Sequence, residues 1–138
     1  MKTASRAQST ELRAQKDQLA IGTPGSYRNL KVWQRSIELS VSVYQLTGGF
    51  PHEELYGLTS QLRRAAVSVA SNIAEGYGRA SRGEFRQFVG MARGSVLELQ
   101  TQLIIARKLG FGKDSQLQTA EALAEETGKM AWALMQKL

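Results

Sequence analysis

Apolar residues recur at three- and four-residue spacings along most of the chain, and no stretch alternates as a strand would. Leu30, Trp33, Ile37, Val41 and Tyr44 fall on one face of a helix that Asn29 would open as N-cap. Gly48 and Gly49 stop it, where a C′ residue of positive φ is expected. Pro51, Glu53 and Glu54 suit the first turn of a second helix, which the pattern carries from residue 53 to residue 75. Its main stripe is Leu55, Leu58, Leu62, Ala66, Val69 and Ile73. Gly76 and Gly78 interrupt the pattern. Ser81 then caps a third helix, with Glu84 three residues later in the spacing of a capping box. Phe85, Phe88, Ala92, Val96, Leu99 and Leu103 form its core face, and Gly110 ends it. A fourth helix starts at Asp114 or Ser115 and is lined by Leu117, Ala120, Leu123, Ala124, Thr127, Ala131, Leu134 and Leu138.

Four helices joined by short turns make antiparallel neighbours. The expected fold is all-α, an up-down-up-down four-helix bundle over residues 29–138. Residues 1–28 read differently. They offer few apolar anchors, and Pro24 and two glycines break any helix before the bundle begins. This segment is expected to be a flexible arm or a helix that docks only on a partner.

Two helices carry more than one organised face. On the second, Val67, Ala70 and Ala74 widen the apolar arc, and Gln61, Ala65, Ser68, Asn72 and Glu75 form a small, polar seam. On the third, Gly83, Gln87, Gly90, Gly94, Leu97 and Thr101 form another. Each interior glycine costs about 1 kcal/mol against alanine, which makes sense where backbones must approach closely. A helix apolar over so wide an arc needs cover on two sides. The second cover is expected to be another copy of the chain, through Val67, Ser68, Ala70, Ala74, Gly90 and Gly94. Trp132, off the main stripe of the fourth helix, is expected at a subunit contact.

Composition narrows the chemistry. With no cysteine there is no disulfide framework or thiolate site, and His52 is the single histidine. A His-Glu-Glu run at a helix start is a capping turn before it is a metal site. No apolar run approaches the roughly 18–20 residues a membrane span needs, and the basic N-terminus lacks the apolar core of a signal peptide. A cytoplasmic protein without metal or cofactor is expected. The net charge is +6. Residues 55–113 carry nine Lys/Arg against three acids, whereas residues 114–138 carry two against four. That asymmetry points to a polyanion or an acidic partner on one surface, or only to a charge that keeps the chain soluble.

Two clusters stand out. Asn72, Glu75, Ser81 and Glu84 surround the turn between the second and third helices, with Arg79 beside them. They form either a capping and salt-bridge network, with a half-buried Glu75 that needs a cation, or a ligand contact. Arg82, Arg86 and Arg93 lie within about 40° on the third helix, given about 3.6 residues per turn. Together with Arg79, Arg63 and Arg64 they are the candidate nucleic-acid contacts. The alternative is that they pair with Glu84, Glu98 or acids of the fourth helix. "GYGRAS" lacks the strand before it and the Lys-Ser/Thr pair of a phosphate loop. No nucleophile has a base nearby in sequence, so no enzyme is expected. Trp33 and Tyr44 are assigned to core packing.

The stretch "FPHEELYGLTSQLRRAAVSVASNIAEGYGRASRGEFRQFVGMARGSVLELQTQL", with "VWQRSIELSVSVY" before it and "ARKLGF" after it, resembles the bacterial four-helix-bundle proteins of the 23S rRNA intervening-sequence family. The resemblance covers roughly residues 28–138. It implies a bundle that assembles into a homo-oligomer, a pentamer being favoured, and it carries over no catalytic residue. A related bundle, the accessory variability determinant of diversity-generating retroelements, partners a reverse transcriptase and binds nucleic acid. The functional expectation is a non-enzymatic oligomer binding RNA or DNA through a basic surface. The alternative is a protein-interaction scaffold or accessory subunit, for example to a reverse transcriptase.

Overall fold

The computed structural model describes residues 25–138, so the expected N-terminal arm lies outside the described residues except for residues 25–28. Four helices follow: α1 (Lys31–Thr47), α2 (Leu58–Tyr77), α3 (Arg82–Leu109) and α4 (Asp114–Lys137). Among the described residues there is no strand. Each helix packs on the next, and α4 returns to α1, closing an up-down-up-down bundle. The core runs along its axis and includes Leu39, Leu46, Leu62, Ile73, Val96, Leu99, Leu103 and Leu117.

The bundle opens earlier than the pattern predicts. Ser26 Oγ accepts the Arg28 N–H at 3.0 Å and closes a 3-10 turn over Tyr27–Asn29. Asn29 therefore sits inside that turn, and Leu30 takes the N-cap position of α1 without a side-chain bond. The end of α1 differs too. Gly48 has φ −62°, and the Gly48 and Gly49 N–H groups bond back to Tyr44 and Leu46 carbonyls, so no positive φ is needed.

α1 also buries a different face from the one its largest apolar residues mark. Val32, Ser36, Leu39, Val43 and Leu46, again at alternating spacings of four and three, point inward. Ser36 tolerates burial because its hydroxyl donates to the Trp33 carbonyl at 2.7 Å. Ile37, Val41 and Tyr44 are left in solvent, Val41 by 52%. Trp33 is half-buried and meets Tyr27 edge-on at 5.2 Å.

The second helix is shorter than its pattern at one end and longer at the other. His52–Glu54 form a 3-10 turn, and Gly57 separates it from α2. Glu54 reaches forward so that its Oε1 accepts the Leu58 N–H at 3.0 Å, standing in for a cap. Leu55 consequently falls outside the core. At the other end α2 continues through Gly76, which is buried against α3. α3 begins as expected: the Glu84 N–H donates to Ser81 Oγ at 3.1 Å, though no return bond from the Glu84 carboxylate forms. Gly110 ends α3 at φ 76°, in the left-handed region.

α4 is held to both neighbours by ion pairs. Arg35 on α1 bonds Glu126 at 2.8 Å. Arg107 on α3 bonds Glu121 at 2.8 Å and Asp114 at 2.9 Å. Hydrogen bonds to Glu121, then to Asp114, raise the Arg107 pKa above its ordinary value.

Candidate nucleic-acid interface

The arginines come from α2, α3 and the turn between them, and their partners decide what charge they present. Arg79 is neutralised locally, 2.9 Å from Glu75, and its guanidinium lies 4.7 Å from the centre of the Phe88 ring. Among the described residues the others find no carboxylate. Arg82 donates to the Lys137 carbonyl, and Arg86 Nε donates to the Met135 carbonyl at 3.2 Å. Both cap the negative end of α4. Arg93 lies over Trp132, its guanidinium carbon 4.8 Å from the ring centre. Arg63 bonds Thr47 Oγ1 at 2.8 Å and covers Tyr44 at 4.5 Å. Arg64 is exposed and makes no hydrogen bond, ion pair or ring contact among the described residues.

The reason lies on α4. Its acids are already engaged: Asp114 and Glu121 by Arg107, Glu126 by Arg35, and Glu125 by Lys129 at 3.3 Å. The expected alternative, in which the row pairs with acids of the fourth helix, is therefore not what forms. Arg82 and Arg86 stay exposed, each spending one N–H on a carbonyl and keeping the rest of its guanidinium donors.

The polar turn separates into independent pieces. Asn72 is half-buried and ties to its own helix, Nδ2 donating to the Ser68 carbonyl at 2.8 Å. Glu75 is exposed rather than half-buried, so it needs no rescue from burial. Ser81 and Glu84 meet only through the cap bond.

The residues expected at a subunit contact also divide. Ala70 is buried within its own chain, and Ser68 Oγ bonds Ser95 Oγ of α3 at 2.6 Å. Gly90 faces Met135 of α4 in the same chain. The small seam of α2 is thus covered largely by α3. Ala74 is half-buried; Val67 and Gly94 remain exposed, with nothing within 4 Å of the space a Gly94 Cβ would take. Trp132 is exposed beneath Arg93. The exposed apolar row Ile37–Val41–Tyr44, beside Val67, lies on the face of α1 that its spacing assigns to the core.

Among the described residues no cluster of three or more His, Cys, Asp or Glu could hold a metal, and no helix is long and apolar enough to cross a membrane. His52 is exposed in its 3-10 turn.

The geometry defines an all-α four-helix bundle, with Arg82, Arg86 and Arg93 on the side of α3 that meets α4 and Arg63 on the side of α2 that meets α1. Residues 28–133 match the family described as 23S rRNA-intervening sequence protein, and the chain belongs to that family. It is similar in fold to a crystal structure, at 1.70 Å, of a protein of unknown function from the S23 ribosomal protein family of Bacteroides thetaiotaomicron VPI-5482. That likeness has a TM-score of 0.67 at 19% identity and covers 75% of this chain and 97% of that one. No curated protein matches the chain.

Proposed function

We propose that this chain is a non-enzymatic, self-assembling helical bundle that binds nucleic acid through arginines its own carboxylates leave unneutralised. One observation carries the reading: among the described residues Arg63, Arg64, Arg82, Arg86 and Arg93 enter no ion pair. Uncompensated guanidiniums on neighbouring helices raise the local potential toward phosphates. Assembly would repeat the patch on every copy and add its contacts. The test is fluorescence anisotropy of labelled RNA and DNA with nuclease-treated protein across a salt series, with mass by light scattering on the same sample. Binding that falls steeply with salt supports the reading. Failure to bind at low salt by assembled protein overturns it.

A second reading is favoured by the apolar row on α1. Ile37, Val41 and Tyr44 would serve a protein contact, with a second copy or with a polymerase-like partner such as a reverse transcriptase. Co-purification with one defined protein, and no nucleic-acid affinity, would support it over the first.

A further inference from the structure

A polar groove between α2 and α3 holds groups that the bundle itself does not use. Gln102 is only 6% exposed, yet its side-chain carbonyl has no hydrogen-bond partner. Its amide nitrogen meets only Gln61 Oε1, at 3.5 Å, the outer limit of a hydrogen bond. A buried amide so poorly satisfied is costly for the fold alone. Gln102 forms part of the wall of a cavity of about 600 Å³ with Tyr56, Gln61, Arg64, Ser68 and Glu98. Glu98 and Arg64 line the same groove, and neither has an ion-pair or hydrogen-bond partner among the described residues. Tyr56 stands 92% exposed at the edge, an aromatic ring that packs on almost nothing.

We propose that this groove takes an unpaired guanine of a single-stranded nucleic acid. The inference rests on the nucleic-acid reading and names its base-reading site. Guanine presents two adjacent donors, N1–H and N2–H, beside the acceptors O6 and N7. A free carboxylate accepts from N1–H and one N2–H, the Gln102 carbonyl can accept the other N2–H, and a guanidinium donates to O6 or N7. Glu98, the Gln61–Gln102 pair and Arg64 supply that set. The other bases fit less well. Adenine and cytosine would turn a ring-nitrogen lone pair toward the carboxylate, and uracil would flank its one donor with two carbonyls. The strand must be single, because only an unpaired base can bring this edge into a groove. Tyr56 supplies the plate on which a base can stack.

The test compares two short labelled oligouridines, one with spaced guanines and one with adenines in the same places, by anisotropy over one matched salt series. The native protein should bind the guanine strand about tenfold more tightly, and Glu98→Gln should bring the ratio below about threefold. Glu98 is exposed, so the variant should keep the native helicity, checked by circular dichroism. If both strands bind equally with a steep salt slope, the guanine site is overturned and the broader nucleic-acid reading stands. If neither binds at low salt, both fail. If Glu98→Gln keeps the preference, or lowers the assembled mass while no preference exists, the groove is not a base site.

Discussion

A Cβ on Gly76 would stand 2.6 Å from the Cβ of Phe88. The same position lies 3.1 Å from Phe85 Cδ1 and 3.3 Å from the Phe85 carbonyl. None of these is the far end of a flexible chain, so α2 and α3 would have to separate to admit a methyl. Overpacking of this kind costs about 1–3 kcal/mol, and the helix propensity of alanine returns up to about 1. Gly76→Ala should therefore lower stability by about 1–2 kcal/mol in urea unfolding. Gly94→Ala should do the reverse. Its Cβ meets open space, so the propensity gain of about 1 kcal/mol is uncontested. Equal shifts in the same direction would show that close approach does not explain Gly76.

The α2–α3 contact also contains a polar joint. Ser68 Oγ lies 2.6 Å from Ser95 Oγ and 3.0 Å from the Ala65 carbonyl. One hydroxyl proton cannot serve both, so both bonds form only when Ser68 donates to the Ala65 carbonyl and accepts the Ser95 hydroxyl. Ser68→Ala and Ser95→Ala should each cost about 1 kcal/mol. The double variant should cost about as much as the worse single, giving a coupling of at least about 0.5 kcal/mol in a double-mutant cycle. Strict additivity would mean that the hydroxyls act independently.

Arg82 and Arg86 would do two jobs, and a charge reversal would confuse them. Each caps a carbonyl in the last turn of α4, so glutamate would damage the helix end as well as the charge. Glutamine keeps an N–H donor and removes the cation. Arg82→Gln plus Arg86→Gln should retain helicity and assembled mass. The slope of log K against log salt should shrink by about 0.7 per lost phosphate contact on single strands, and by about 0.9 on duplex. An unchanged slope in the folded double variant would remove this pair from the interface.

Much of the fold was legible because α3 and α4 each carry one dominant apolar row with a marked boundary. Ser81 and Gly110 mark α3, and Asp114 opens α4. α1 was not legible in the same way. It carries two rows, and the larger residues lie on the outer one. The inner row contains Ser36, whose burial depends on a backbone bond that periodicity does not reveal. Gly76 read as a helix break, although the close approach of Phe88 makes it a packing position. The arginine cluster was visible as charge. That α4's acids would be occupied by Arg35, Arg107 and Lys129 depends on which helices become neighbours. The unsatisfied Gln102 amide likewise emerges only when α2 and α3 are set side by side.

The two rows of α1 give the sharpest test of assembly. Ile37, Val41 and Tyr44 are exposed, and Val67 of α2 extends the same apolar surface past Tyr44. If a second copy covers this face, Val41→Glu should place a charge inside the contact with no partner, a penalty of several kcal/mol per interface. The single chain should barely notice, since the position is half in water; its stability should shift by no more than about 0.5 kcal/mol. The expected result is an assembly that falls to single-chain mass by light scattering while its helicity is kept. Ala70→Glu supplies the contrast. Ala70 is buried within its own chain, so a charge there should unfold the bundle rather than dissociate it. An assembly that keeps its mass with Val41→Glu would place the contact elsewhere, on the face that carries Gly94 and Leu97.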